Sequence, residues 1–594
     1  MQKDVFNKTG YPSLDRPWEA YYNKEELKKI RIKRTVYQEV YENNKNFMSD
    51  LALEFFGSKI NYAQFFQKVN STAKSFEEYG IKKGDFVTIC AAGIPETVYS
   101  FYALSKIGAI ANMIAPYFDK NDLVERINDC ASDVLIVMDT FYDEIKDSIK
   151  KSRIKNVIVL PTLNSSFLRL ISKKYKLEKH SNELYWDQFI KDGSRRNESV
   201  LIPYEENLPL TMVYSSGTTG ASKGILLSND SFQNSIQSYP ASGVDISRGQ
   251  KFYQIIPPWY STGLSTSIHL PLSYGTSVFM DPRFERDIFV KNIIKAKPNY
   301  SVAPTSMYEG FLDESLLKNK DLSFFNYPFE GGESLSEEVA TKIETVFKKH
   351  GNDTKLRVAY GQCECGAAVT TQTQKIENSI GSVGIPLPGV TIAIFDEQFN
   401  ELPYNERGQI FANTPCRMLE YYKNEEATKN YFYIDNNNVK WNCTGDIGYI
   451  NEKGELFVQG RASDFTMING NKIYNFDIEK IIMEIKEIKM CDILNKEFNG
   501  ENQLVAHIIF DEQFYINLAN SSEELNNELT KIQEYIYNLT ENEDMVPFIF
   551  KIRESFPYAK SGKRDIKKIN QEETGFIILE KYKNNQKSKK LSLN

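Results

Sequence analysis

The run Tyr214-Ser215-Ser216-Gly217-Thr218-Thr219-Gly220-Ala221-Ser222-Lys223-Gly224 concentrates hydroxyls, glycines and a cation in one short stretch. Gly217, Gly220 and Gly224 let the backbone turn sharply and approach a ligand closely. Ser215, Ser216, Thr218 and Thr219 offer hydroxyl donors, and Lys223 offers an ammonium. Together these are the properties of a loop that cradles a polyphosphate. A flexible Ser/Gly linker is the competing reading. It fits poorly between two apolar runs, at 210–213 and 225–227. The Gly–Lys–Ser/Thr order of a Walker A loop is absent. Of the four histidines, His180, His269, His350 and His507, none stands in a nucleophile or metal pattern, so imidazole acid/base work is not expected. Cys363-Glu364-Cys365 lacks the second ligand pair that a metal site of this kind needs, and its thiols read as buried or site-lining.

The elements around this loop read as α/β. An apolar β-former run at 86–90 is followed by a Gly/Pro break, then by helical spacing over 96–106 that Gly108 stops, then by a second apolar run at 109–114. That is the strand–helix–strand unit of a parallel sheet. The strand signal repeats at 134–138 and 156–160. The polar stretch 163–200 reads as a surface excursion in which Trp186, Phe189 and Ile190 dock. The stretch 444–461 predicts a hairpin with its turn at 451–454. Beyond it come shorter elements, with helices over 477–486 and 522–538 and a strand over 504–510. They read as a small α+β domain, and the Lys/Asn/Ser-rich end from Lys581 reads as disordered.

The glycine-rich loop resembles that of the adenylate-forming superfamily of acyl-CoA synthetases, nonribosomal adenylation domains and beetle luciferases. Further segments resemble its other motifs, in family order: Gly331-Gly332-Glu333-Ser334-Leu335, Tyr360-Gly361-Gln362-Cys363-Glu364, Gly381 to Gly389, Thr444-Gly445-Asp446, Gly460-Arg461-Ala462-Ser463-Asp464 and Lys560-Ser561-Gly562-Lys563. The resemblance implies a large N-terminal AMP-binding domain over 1–460 with parallel α/β sheets and a small barrel-like β region. It implies a small mobile α+β C-terminal domain over 461–575 with its hinge near Ser463, and a polar tail over 576–594.

It also implies site roles. Lys563, Thr219 and Glu364 are the catalytic candidates, and Glu364 is the Mg²⁺ ligand. Ser215, Ser216, Gly217, Thr218, Thr219, Gly220, Lys223, Gly332, Glu333, Tyr360, Gly361, Gln362, Cys363, Asp446, Arg461 and Lys563 are the ATP contacts. Asp446 is read as a loop carboxylate that accepts both ribose hydroxyls, a task suited to two acceptor oxygens. Tyr360 would stack on adenine. Cys363 stands where the family has threonine, and a thiol is a weaker donor. Ser222 replaces a proline, and Asn229 stands where a histidine often follows the loop. Tyr260, Gly263, Tyr308 and Gly361 are the substrate-side candidates, with Met307 beside them. For Tyr260, Tyr308 and Met307, core packing is an equal reading.

The activity so implied is ATP-dependent carboxylate activation followed by acyl transfer to CoA or to a separate phosphopantetheine carrier. Pro257 to Gly263 carries Tyr260 and no acidic residue to pair a substrate ammonium, which favours a fatty or other aliphatic acid. The alternative is a stand-alone adenylation enzyme loading an amino or aryl acid onto a carrier protein. Bulk properties agree with a soluble enzyme. The 594 residues carry a net charge of -7, which gives no basis for nucleic-acid binding. The seven cysteines and a polar start suggest a cytoplasmic home. No apolar run reaches the ~20 residues needed to cross a bilayer.

Overall fold

The computed structural model describes residues 9–28, 32–168, 182–215, 222–333, 335–498, 500–518, 521–557 and 564–582. Two compact units result: Met1–Thr444 with Gly448–Val458, and Gly445–Ile447 with Gln459–Asn594.

The larger unit holds two long mixed sheets. In the first, the strands run in spatial order Glu420–Tyr421, Gly224–Ser228, Pro209–Tyr214, Ile110–Met113, Phe86–Cys90, Val134–Met138, Asn156–Leu160 and Glu183–Tyr185. Pairing is parallel from Pro209–Tyr214 to Glu183–Tyr185 and antiparallel across Gly224–Ser228. Helices cross between parallel strands, as such connections require. Pro95–Ile107 begins with a proline at its first position and ends at Gly108, whose φ of 77° closes a left-handed cap. Every residue of that helix is buried, so it packs between layers and not on the surface.

The second sheet runs Ile385–Pro386, Ala368–Thr371, Arg357–Gly361, Tyr327–Gly331, Tyr300–Ala303, Lys251–Gln254, Ser277–Met280, Leu51–Phe55 and Ser58–Asn61. Its central strands are parallel and its edges antiparallel. Strands Thr391–Phe395, Gly408–Asn413, Lys440–Ile450, Phe432–Ile434 and Leu456–Arg461 form a five-stranded sheet, with Lys440–Ile450 joined to three of the others.

The smaller unit has a hairpin, Phe465–Ile468 with Asn471–Tyr474, and a four-stranded sheet of Ile488–Phe498, Glu501–Phe510, Ile549–Ile552 and Ile577–Ile578. Helices Asn475–Met483 and Ser522–Thr540 cover it through Ile478, Ile482, Leu529, Ile532 and Ile536.

In the 163–200 excursion, residues 169–181 lie outside the described ones, and Trp186–Gly193 is a helix. Phe189 is fully buried, with ring centroids of Phe76, Tyr79 and Trp186 at 5.3, 5.4 and 5.5 Å. Phe189→Ala removes that anchor and is expected to lower the unfolding free energy by about 3–5 kcal/mol, read from the urea midpoint. A loss below about 1 kcal/mol would show that the helix contributes little to the core.

Candidate functional site

Both strands flanking the glycine-rich segment lie inside the first sheet. Tyr214 pairs with Gly224 and Val213 with Ile225, so the two strands that flank the segment form an antiparallel pair. Its feet are tied. The Ser215 N–H donates to the Lys223 carbonyl at 3.0 Å, and the Lys223 N–H donates to Ser215 Oγ at 2.9 Å. Ser216, Gly217, Thr218, Thr219 and Gly220 lie outside the described residues. The Lys223 ammonium stands 4.9 Å from the Tyr421 ring centroid, a cation–π contact. Tyr421 sits on the edge strand Glu420–Tyr421 beside Ile225, and its hydroxyl donates to Glu364 Oε1 at 2.9 Å. Cation, ring and carboxylate thus form one connected row. Asn229 is structural: it accepts from the Val36 N–H at 2.9 Å and donates to the Leu208 carbonyl at 3.1 Å.

Glu364 comes from the second sheet. Tyr360 and Gly361 end one parallel strand, and Gly331 ends its neighbour, with Gly331 opposite Ala359. Gly332 follows with φ of 101°, which favours glycine. At Gly361 a Cβ would lie 2.0 Å from the Ala367 carbonyl oxygen, so only hydrogen fits. Gln362 donates to the Thr444 carbonyl at 2.6 Å. Tyr360 is half-buried against the core of this sheet. Loops from the two sheets meet: the hydroxyls of Tyr117, beyond strand Ile110–Met113, and Tyr260, beyond strand Lys251–Gln254, share a 2.7 Å hydrogen bond. Burial raises both phenol pKa values, and Cys363 lies near enough to act on both.

The other substrate-side candidates are placed differently. Tyr308 is fully buried, and its hydroxyl donates to the Ser301 and Phe329 carbonyls at 3.2 and 3.0 Å, so its ring belongs to the core. Met307 is buried in the same cluster. Gly263 packs on backbone: a Cβ there would lie 2.0 Å from the Pro257 carbonyl oxygen.

Two carboxylates staple the Gly331-Gly332 segment to the short helix Thr305–Tyr308. Glu333 accepts from the Ser306 N–H at 3.0 Å and from its hydroxyl at 3.2 Å. Glu330, 1% exposed, accepts from the Glu333 N–H at 3.2 Å and from Thr305. Burial pushes the Glu330 pKa up to about 8, with Glu333 adding to the shift.

In the smaller unit, Asp446 and Arg461 meet, Nε to Oδ1 at 3.1 Å, with the carboxylate side chain 6% exposed and the guanidinium 59%. The loop position read for Asp446 is corrected: it lies within the strand Lys440–Ile450, directly after Gly445, whose φ of 73° kinks the strand. The Ala462 N–H donates to the Gly445 carbonyl at 2.8 Å, and Ser463 follows in the turn. Lys563, like 558–562, lies outside the described residues. On either side of that segment, the Asp565 N–H donates to the Pro557 carbonyl at 2.8 Å, and Arg564 pairs with Asp492.

Motif reading missed Tyr117, Tyr421 and Glu330. A carboxylate inside the otherwise apolar strand Tyr327–Gly331 was the available signal for Glu330. Tyr117 and Tyr421 carry no local signal, since a loop-to-loop hydrogen bond brings in the first and strand pairing the second.

Residues 40–422 match the family described as AMP-binding enzyme. A long-chain-fatty-acid–CoA ligase of Bacillus subtilis is 25% identical over 507 residues, covering 82% of this chain and 88% of the relative. A 2-succinylbenzoate–CoA ligase of Oceanobacillus iheyensis is 26% identical over 487 residues, 77% of this chain and 89% of the relative. Among solved structures, ATP-bound MatB from Rhodopseudomonas palustris aligns with a TM-score of 0.74 at 18% identity, over 90% of this chain and 98% of that one. This likeness establishes a shared fold.

Glu330 generates a pH prediction. Its ordinary value is 4.5 and its folded value about 8, so in that window the folded chain holds a proton that the unfolded chain has released. The resulting stabilisation is complete at low pH and is lost as pH rises toward the folded value. Glu330→Gln keeps hydrogen bonding without titration. Its urea midpoint is expected to fall less than the wild type's between about pH 5 and about pH 8. Parallel pH profiles would contradict the assignment.

Proposed function

Because the chain belongs to the AMP-binding enzyme family, we propose that it joins a carboxylic acid to ATP, releasing pyrophosphate, and then passes the acyl group of the resulting acyl-adenylate to a thiol. The observation that carries this reading is the row Lys223–Tyr421–Glu364. It sets a cation and an oriented carboxylate beside the hairpin strands and the carboxyl ends of parallel strands, where open α/β sheets bind ligands.

The hairpin with Ser215 and Lys223 would take the phosphates. Gly331, Gly332, Tyr360 and Gly361 would take the adenine, with Gly332 giving backbone room and Tyr360 a ring face. Asp446 would accept the ribose hydroxyls, its orientation set by Arg461. Glu364 suits Mg²⁺: the ion prefers hard oxygens, commonly takes one or two carboxylates besides phosphates and water, and the Tyr421 hydroxyl orients this one. Bound there, Mg²⁺ would supply charge neutralisation to the phosphates. Lys563 would bring the substrate carboxylate to the α-phosphorus. Two unit charges about 4 Å apart repel by about 4 kcal/mol at an effective dielectric near 20, and an ammonium between them offsets this.

The acid is one without an α-amino group, because the Trp259-Tyr260 segment offers no counter-ion for an ammonium. We favour a fatty or other aliphatic acid, with free CoA or a carrier as acceptor. The similarity to a long-chain-fatty-acid–CoA ligase supports this. An aryl acid is the second reading. It is favoured by the aromatic grouping of Tyr117, Trp259 and Tyr260, with Tyr117 edge-on to Trp259 at 6.2 Å.

Pyrophosphate exchange across fatty, aryl and amino acids tests the reading. Exchange is expected with an aliphatic acid, and exchange confined to amino acids would overturn the substrate class. Lys563→Ala is expected to slow adenylation by about 10²–10³, as loss of one strong transition-state donor does. Near-normal adenylate formation by that variant would remove Lys563 from the mechanism.

A further inference from the structure

Arg126, on the helix Lys120–Asp129, is 8% exposed. Its guanidinium sits in the corner made by two rings, 4.3 Å from the Phe118 centroid and 4.4 Å from the Tyr214 centroid. The rings themselves are 5.8 Å apart at 78°. Tyr214 ends the strand that enters the glycine-rich segment, and its hydroxyl is fixed by donation to Asn112 Oδ1 at 2.9 Å. The same guanidinium donates from Nη1 to the carbonyl of Ser222, near the far end of that segment, over a long 3.4 Å. One side chain therefore touches both feet of the hairpin turn.

Its own hydrogen bonding is poor. Asp122 stands 3.8 Å from Nη2 and is 52% exposed, and Nε meets no acceptor among the described residues. A guanidinium carries five donors. Burying one with so few acceptors contributes little to stability, and an apolar side chain of similar volume would serve the core as well. What an apolar residue could not do is grip a carbonyl on one side of the segment and an aromatic face on the other while placing a fixed charge at its base.

We propose that Arg126 is a positioning residue for the phosphate-binding hairpin, holding its two feet in register through the Tyr214 ring and the Ser222 carbonyl. The proposal rests on the nucleotide-binding reading above. Arg126 acts through the hairpin and need not touch ATP. Lysine cannot replace it, because an ammonium has neither the flat face nor the fork that make the two contacts together.

Calorimetric titration of the full chain with MgATP, without any acid, tests this directly. Wild type is expected to bind. Arg126→Met, which keeps bulk and loses charge and fork, is expected to bind about tenfold or more weakly, the loss of one hydrogen bond from a charged group. Arg126→Lys is expected to lose affinity as well. In pyrophosphate exchange both variants are expected to show a raised KM for ATP, an unchanged KM for the acid and an unfolding midpoint near wild type. A wild type that binds MgATP together with an Arg126→Met variant that binds equally well would overturn the positioning role alone. So would a parallel rise in both KM values with a fall in the unfolding midpoint, since that is general loss of packing. A wild type that binds no MgATP would overturn both the role and the nucleotide-binding reading.

Discussion

Parallel strands deliver all their carboxyl ends to one edge of a sheet, and in this chain two sheets do so with their exit loops in contact. The Tyr117–Tyr260 hydroxyl bond of 2.7 Å marks that contact, with one residue from each sheet. From this constraint the candidate site follows. The hairpin strands of the first sheet bring Lys223, its edge strand Glu420–Tyr421 brings Tyr421, and the second sheet leads to Glu364. None of the three is near another in sequence. Tyr421 is placed by strand pairing, Lys223 directly precedes the strand Gly224–Ser228, and Glu364 lies in the short turn Cys363–Cys365 just beyond the strand Arg357–Gly361.

Several carboxylates of the chain have a local partner for their charge. In the larger unit Glu364 receives a phenol hydroxyl and Glu333 a serine N–H and hydroxyl, and within the smaller unit Asp446 receives a guanidinium. Glu330 also accepts hydrogen bonds, from the Glu333 N–H and Thr305, and deep burial favours its protonated form. Buried carboxyls without such partners would be costly. At Glu364 the partner doubles as an orienting device, because the Tyr421 hydroxyl fixes Oε1.

Local pattern made much of this fold legible. The runs at 86–90, 134–138 and 156–160 coincide with strands, and Gly108 ends its helix, because fully buried parallel strands read as continuous apolar text and a left-handed cap needs glycine. The docking of Trp186 and Phe189 was legible for the same reason: large apolar groups in a polar stretch have few places to go. Asp446 was misplaced because Thr444-Gly445-Asp446 has turn composition. The strand Lys440–Ile450 nevertheless runs through it, with Gly445 at a φ of 73°. Tyr421, Tyr117 and Arg126 were illegible, since their contacts span long stretches of chain and are set by sheet order. Tyr308 shows the converse, a motif-adjacent tyrosine that the structure uses as core.

The central claim is that the carboxyl ends of the two sheets form one nucleotide site. A crystal structure of the protein with ATP tests it most directly. The account predicts phosphate oxygens against the Tyr214–Gly224 hairpin and an adenine ring between Gly331-Gly332 and Tyr360. A nucleotide bound elsewhere on the chain, or phosphates that leave the hairpin untouched, would contradict it.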